Sequence, residues 1–131
     1  MRKEYDALGD MMLPDNAYYG IQTKRAMDNF RVSGITTNDL PEMIRSLGAI
    51  KKAAALANKK IGALSEEKAD AIVRAADEVM NTRFADQFPV DVYQGGGGTS
   101  FNMNMNEVLA NRANAIITGQ NGYDVIQPNT H

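Results

Sequence analysis

A chain of 131 residues, 44% hydrophobic and 23% charged, has the size and composition of one globular domain with a modest core. A net charge of -2 argues against nucleic-acid or anionic-membrane binding driven by bulk charge, so neither partner is expected. The absence of cysteine removes disulfides and thiolate-held metals, and no apolar run has the length of a signal peptide or membrane span, which makes the cytoplasm the expected compartment.

Residues 1–29 show no clear period. Pro14-Asp15-Asn16 is turn chemistry, Ala17-Tyr18-Tyr19-Gly20 is a short aromatic patch, and Gln22–Phe30 reads as one or two helical turns. Residues 33–39 read as a loop, with Asn38 or Asp39 placed to cap a helix and Pro41 acceptable in its first turn. The first strong helix is predicted over about Leu40–Ile61. Leu40, Met43, Ile44, Leu47, Ile50, Ala54, Ala57 and Ile61 recur there at helical spacing, and Gly62 is a natural stop. A second helix follows Ser65 as N-cap, with Glu66 and Glu67 in its first turn, and fades near Asn81 or Thr82. Met105, Val108, Leu109, Ala113, Ile116 and Ile117 trace a third, closed by Gly119. Of the eight methionines, Met103 and Met105 read as adaptable core filler.

The stretch Asp86–Ala113 organises the rest. An apolar, β-leaning run, Phe88–Tyr93, enters four consecutive glycines, Gly95–Gly98, followed by Thr99, Ser100 and a patch of asparagines. Four glycines are costly to order, so such a run is a slack linker or a loop that bends tightly and approaches something closely. Packed flanks on both sides favour the loop. A phosphate-binding P-loop needs lysine where Thr99 follows Gly98, and a dinucleotide fingerprint needs glycine at Ser100 in a parallel βαβ setting. Both fail. What remains is either a receptor of backbone N–H groups and two hydroxyls for a small anion such as a carboxylate, or a merely structural tight turn.

Catalytic groups are scarce. The single histidine, His131, has no visible partner; Asp77-Glu78 and Lys51-Lys52 read as solvated faces. Lys24 and Arg25 are candidate anion binders whose default reading is surface charge. No acidic or histidine spacing suits a metal ion. The residues alone supply half of an anion site and no base.

Several of these segments together resemble the aspartase/fumarase superfamily, over nearly the whole chain. They are AYYGIQTKRAMDNF (Ala17–Phe30), KKAAALAN (Lys51–Asn58), AADEV (Ala75–Val79), DQFPVDVYQGGGGTS (Asp86–Ser100) and NMNMNEVLANRA (Asn102–Ala113). The aspartate ammonia-lyase branch is the nearest in pattern. Class II fumarases resemble EFP-hydrophobic-VVWQTGSGTQTN here, with tryptophan before the glutamine, whereas this chain has Val90-Asp91-Val92-Tyr93-Gln94. Gly97 replaces the usual alanine of the GGAGTS form. The fumarase His-Pro-Asn-Asp run, a second anion site, is here Gln127-Pro128-Asn129-Thr130.

The resemblance implies a mainly α fold: an N-terminal helical domain spanning 1–131 with short β-hairpin elements, truncated before a central helical bundle. It implies reversible β-elimination of L-aspartate to fumarate and ammonia through an enediolate. Thr99, Ser100 and Gly98 would contact the substrate carboxylate, with Arg25 as a more distant match. The serine base would lie on a later loop, so no catalytic base is expected within 1–131 and this piece alone is expected to be inactive. It further implies a homotetrameric parent and no resident cofactor, with divalent-cation activation left open. The alternatives are the equivalent domain of a class II fumarate hydratase and a non-catalytic helical interaction module.

Overall fold

The structure is a computed structural model and describes residues 1–81 and 83–131. A two-stranded antiparallel hairpin, β1 (Arg2–Asp6) and β2 (Gly9–Leu13), leads to α1 (Ile21–Asn29) and a 3-10 turn at Thr37–Asp39. Then come α2 (Pro41–Lys60), α3 (Glu66–Met80), a second 3-10 turn at Ala85–Gln87, and α4 (Thr99–Thr118). The mainly α architecture with a small hairpin is the expected one.

The hairpin occupies the stretch that shows no period. Its register pairs Arg2 with Leu13 and Asp6 with Gly9, leaving Ala7-Leu8 as the loop. Ala-Leu lacks the Asn-Gly chemistry that usually announces a two-residue turn. The bend is held instead by the Leu8 N–H donating to Asp6 Oδ1 at 2.8 Å, and by Gly9 at a φ of 114°. After β2, the Ala17 N–H donates to the Pro14 carbonyl at 3.1 Å, the turn read at Pro14-Asp15-Asn16.

The central helix is α4, which starts at Thr99, six residues before the stripe first read on it. Met103 to Met105, Glu107 to Asn111, Ala113 and Asn114 are all buried, so it is covered on most sides. α3 packs on it, and α2 packs chiefly on α3. Phe88, Met105, Val108 and Ala113, fully enclosed, join the α3 residues Ala69, Ala75, Ala76 and Val79 in one core. Met103 and Met105 are core filler, as read.

Three local readings need correction. Neither Asn38 nor Asp39 caps α2. Asp39 closes a capping box with Thr36 around the 3-10 turn, while Asn38 Oδ1 accepts the Phe88 N–H at 2.9 Å. Ser65 does occupy the N-cap position of α3, but its hydroxyl makes no capping bond. Thr82, one of the two ends read for that helix, lies outside the described residues. α2 does have helical period and stops in a Schellman motif, with Ala63 N–H on the Asn58 carbonyl and Gly62 at a φ of 75°. Its inward face, however, is Ile44, Gly48 and Ala55, and Met43, Ile50 and Ile61 point to solvent. A Cβ at Gly48 would sit 3.0 Å from Met80 Cγ, which is why the close side of α2 carries small residues.

Candidate functional site

The entry to α4 is built from segments distant in sequence. Residues 32–38 run beside residues 88–92. Thr37 N–H donates to the Val90 carbonyl at 2.9 Å, Val92 N–H to Ile35 at 3.0 Å, and Asn38 N–H to Phe88 at 2.9 Å. The Asp91 carboxylate, 4% exposed, clasps the pair. It accepts from the N–H groups of Ser33 (2.8 Å), Gly34 (3.1 Å), Val32 (3.2 Å) and Tyr93 (2.8 Å), and from the Ser33 hydroxyl (2.9 Å). The glycine loop therefore leaves a tethered platform.

The loop itself closes with the Gly98 N–H on the Gly95 carbonyl at 3.0 Å, and Gly98 adopts a left-handed φ of 71° as N-cap of α4. Having no side chain, Gly98 offers no cap. Gln94 covers one helix-end donor, its Oε1 accepting the Phe101 N–H at 2.8 Å while its Nε2 donates to the Asp91 carbonyl at 3.1 Å. The N–H groups and hydroxyls of Thr99 and Ser100 find no acceptor among the described residues. Four donors on two residues, Thr99 exposed and Ser100 half-buried, thus stand at the positive end of a long helix without a partner among the described residues.

Ser100 and Arg25 line one open cleft of about 570 Å³, with Gln22, Asn29, Glu107, Tyr123 and Asn129. Thr99 is exposed beside the glycines and is not part of that wall. Arg25 is engaged: its Nε and Nη2 donate to the two Asp6 oxygens at 2.8 and 2.7 Å, and Nη2 also reaches the Gly9 carbonyl. That pairing holds the Asp6 carboxyl below its ordinary value and leaves Nη1 without a hydrogen bond among the described residues. Lys24, the other candidate cation, is bound to Asp28 on its own helix. Lys51 donates to Asn102 Oδ1 at 2.7 Å, and its partial burial pulls its pKa down.

Sequence reasoning missed two carboxylates. Glu107, 1% exposed on α4, accepts from the N–H groups of Gly20 (2.8 Å), Gln22 (2.8 Å) and Thr23 (3.1 Å), and from the Thr23 hydroxyl (2.7 Å). Glu4, on β1, accepts the remaining Ile21 N–H at 2.8 Å and is braced by Arg2. The N-terminus of α1 is thus capped by other elements, and Gly20 has no room for more. A Cβ there would lie 2.0 Å from the Tyr123 hydroxyl and 2.8 Å from Glu107 Cδ. Burial pushes the Glu107 carboxyl up, against the pull of its four donors. No sequence signal marks it, since a glutamate beside Asn106 reads equally well as a solvated acid.

For Asp91, desolvation raises the pKa, and the donors from Tyr93, Ser33 and Gly34 more than reverse it, holding the carboxyl at about 2 against an ordinary 3.8. A folded-state value below the unfolded one gives stability that is complete above the unfolded pKa and lost as pH falls toward the folded one. Asp91→Asn is therefore expected to lower the thermal midpoint at neutral pH and to narrow its deficit as pH drops from about 4 to about 2. Melting curves followed by circular dichroism across that range check this; a deficit constant with pH would remove the ionised clasp. Among the described residues, no cluster of histidine, aspartate and glutamate could hold a metal ion, and no helix is long and apolar enough to cross a membrane.

A family model described as Lyase matches residues 9–131. The chain is 52% identical over 130 residues to a class II fumarate hydratase of Halobacterium salinarum, and 51% identical over 132 residues to an aspartate ammonia-lyase of a Bacillus species. Those matches cover 99% and 100% of this chain but only 27% and 28% of the relatives. The crystal structure of a fumarate lyase:delta crystallin from Brucella melitensis superposes with a TM-score of 0.95 at 48% identity, covering 98% of this chain and 29% of that one.

Proposed function

This chain belongs to the lyase family that includes class II fumarate hydratases and aspartate ammonia-lyases, and from that membership we propose that it is the carboxylate-binding part of an aspartate ammonia-lyase. One observation carries the reading: the uncommitted N–H and hydroxyl donors of Thr99 and Ser100 at the open end of α4. In the β-elimination of L-aspartate, a base takes the Cβ proton and the electron pair moves onto the adjacent carboxylate as an enediolate. The Cα–N bond then breaks, and fumarate and ammonia leave. The Cβ proton beside a carboxylate is only weakly acidic, so fixed donors at the carboxylate that gains charge lower the barrier most. Thr99 and Ser100 take that role, and Gly98 brings backbone close to the substrate. The base, a serine by resemblance, comes from residues other than these, in a homotetrameric enzyme.

The aspartase branch is favoured by Asp91, whose buried clasp stands where the fumarase pattern has valine, and by the Gln127–Thr130 run that lacks the fumarase histidine. The second reading, a class II fumarate hydratase, rests on the 52% identical relative. The intact enzyme is expected to form fumarate and ammonia from L-aspartate, read by ultraviolet absorbance and an ammonia assay. Hydration of fumarate to malate without ammonia release would overturn the aspartase reading and support the second.

A further inference from the structure

Helix α4 does two things with one face. Ser100 and Glu107 are seven residues apart, two turns and about 10 Å along the axis, and both line the same cleft. At one end of this span are the open donors. At the other, Glu107 takes the N–H groups of Gly20, Gln22 and Thr23 and the Thr23 hydroxyl at the start of α1, that of Gln22 at 2.8 Å. Gln22 and Arg25 form the α1 side of the cleft, and the Gln22 side chain reaches toward Asn129, with Nε2 3.5 Å from Oδ1. Among the described residues no lysine or arginine forms an ion pair with Glu107, and its oxygens accept from the start of α1. A buried carboxylate without a cationic partner is an expensive way to cap a nine-residue helix. What the long-range cap adds is a fixed distance between the two walls.

We propose that Glu107 is a positioning residue, which sets the α1 wall of the cleft, Gln22 and Arg25, against the substrate donors of Thr99 and Ser100 by holding the α1 N-terminus on the same rigid helix. This rests on the carboxylate-binding role of the α4 entry. The wall touches substrate through binding rather than through charge development, so its misplacement raises KM and spares kcat. Shortening the side chain leaves a carboxylate-sized gap lined by four donors, which a small anion fills.

The test uses Glu107→Ala in the intact enzyme, with formate as the probe. KM for L-aspartate is expected to rise about tenfold or more with kcat held within about twofold, and millimolar formate to restore KM saturably while raising the melting temperature. Wild type and Thr99→Ala should show neither response. A folded Glu107→Ala enzyme with wild-type KM overturns the proposal. So does formate that raises the melting temperature yet leaves KM elevated, because the carboxylate is then structural only. If Glu107→Ala does not fold, Glu107→Gln replaces it, since it keeps the shape but points an amide N–H at the α1 donors; an unchanged KM there overturns the proposal equally. Failure of the underlying functional reading looks different: wild type itself would release no ammonia from L-aspartate, while the formate-dependent melting shift of Glu107→Ala would persist.

Discussion

Replacing Thr99 by alanine in the intact enzyme is expected to lower kcat/KM by roughly ten- to a thousandfold, the range for removing one donor at a developing negative charge. That is about 1.4 to 4 kcal/mol of transition-state stabilisation. Thr99 is the first residue of α4, exposed, with a hydroxyl that accepts and donates nothing among the described residues. Its replacement therefore removes no packing and breaks no bond of the folded chain. The effect should appear in kcat, since the donor matters most when the carboxylate gains charge, and the melting temperature should stay put. Steady-state kinetics beside a melting curve check both. Unchanged kinetics would take Thr99 out of the site, and a lowered melting temperature would mean that its hydroxyl serves the fold.

Phe88→Ala should do the opposite, costing about 3 to 5 kcal/mol of stability through lost burial and the void left behind. The side chain is fully enclosed, and it lies where the two tethered segments meet. Its N–H is held by Asn38 Oδ1, and its carbonyl accepts from both the Thr37 hydroxyl and the Asn38 N–H. With the backbone pinned in three places, the chain cannot collapse into the space. Urea unfolding should show the loss as a lower midpoint at unchanged slope. A cost below about 1 kcal/mol would mean that the neighbouring helices relax into the cavity.

The long helices were legible because each brought its own evidence: an apolar period, acidic residues at the start of α3, Gly62 and Gly119 at the ends of α2 and α4. The hairpin was not, since its turn is made by an aspartate side chain and one glycine rather than by a recognised dipeptide. The glycine loop was legible as a loop with donors, and its alternatives narrowed only when Gln94 was seen to cover Phe101 and to leave Thr99 and Ser100 open. Glu107 and Asp91 were illegible for a common reason. Most of their partners are backbone amides 57 to 87 residues away, and backbone amides carry no residue identity that a sequence pattern can display. A carboxylate satisfied by main chain looks the same in sequence as one satisfied by water.

The two sides of α2 carry different information. Ile44, Gly48 and Ala55 are buried, so substitutions there are felt as changes in the unfolding equilibrium, and an added methyl at Gly48 must displace Met80 of α3. Met43, Ile50 and Ile61 touch solvent, and polar replacements there alter how the chain tolerates concentration rather than how firmly it folds. A scan ranked by stability and a scan ranked by solubility would therefore single out opposite faces of one helix, and only the second would reveal the outer stripe that the periodicity of the sequence first made visible.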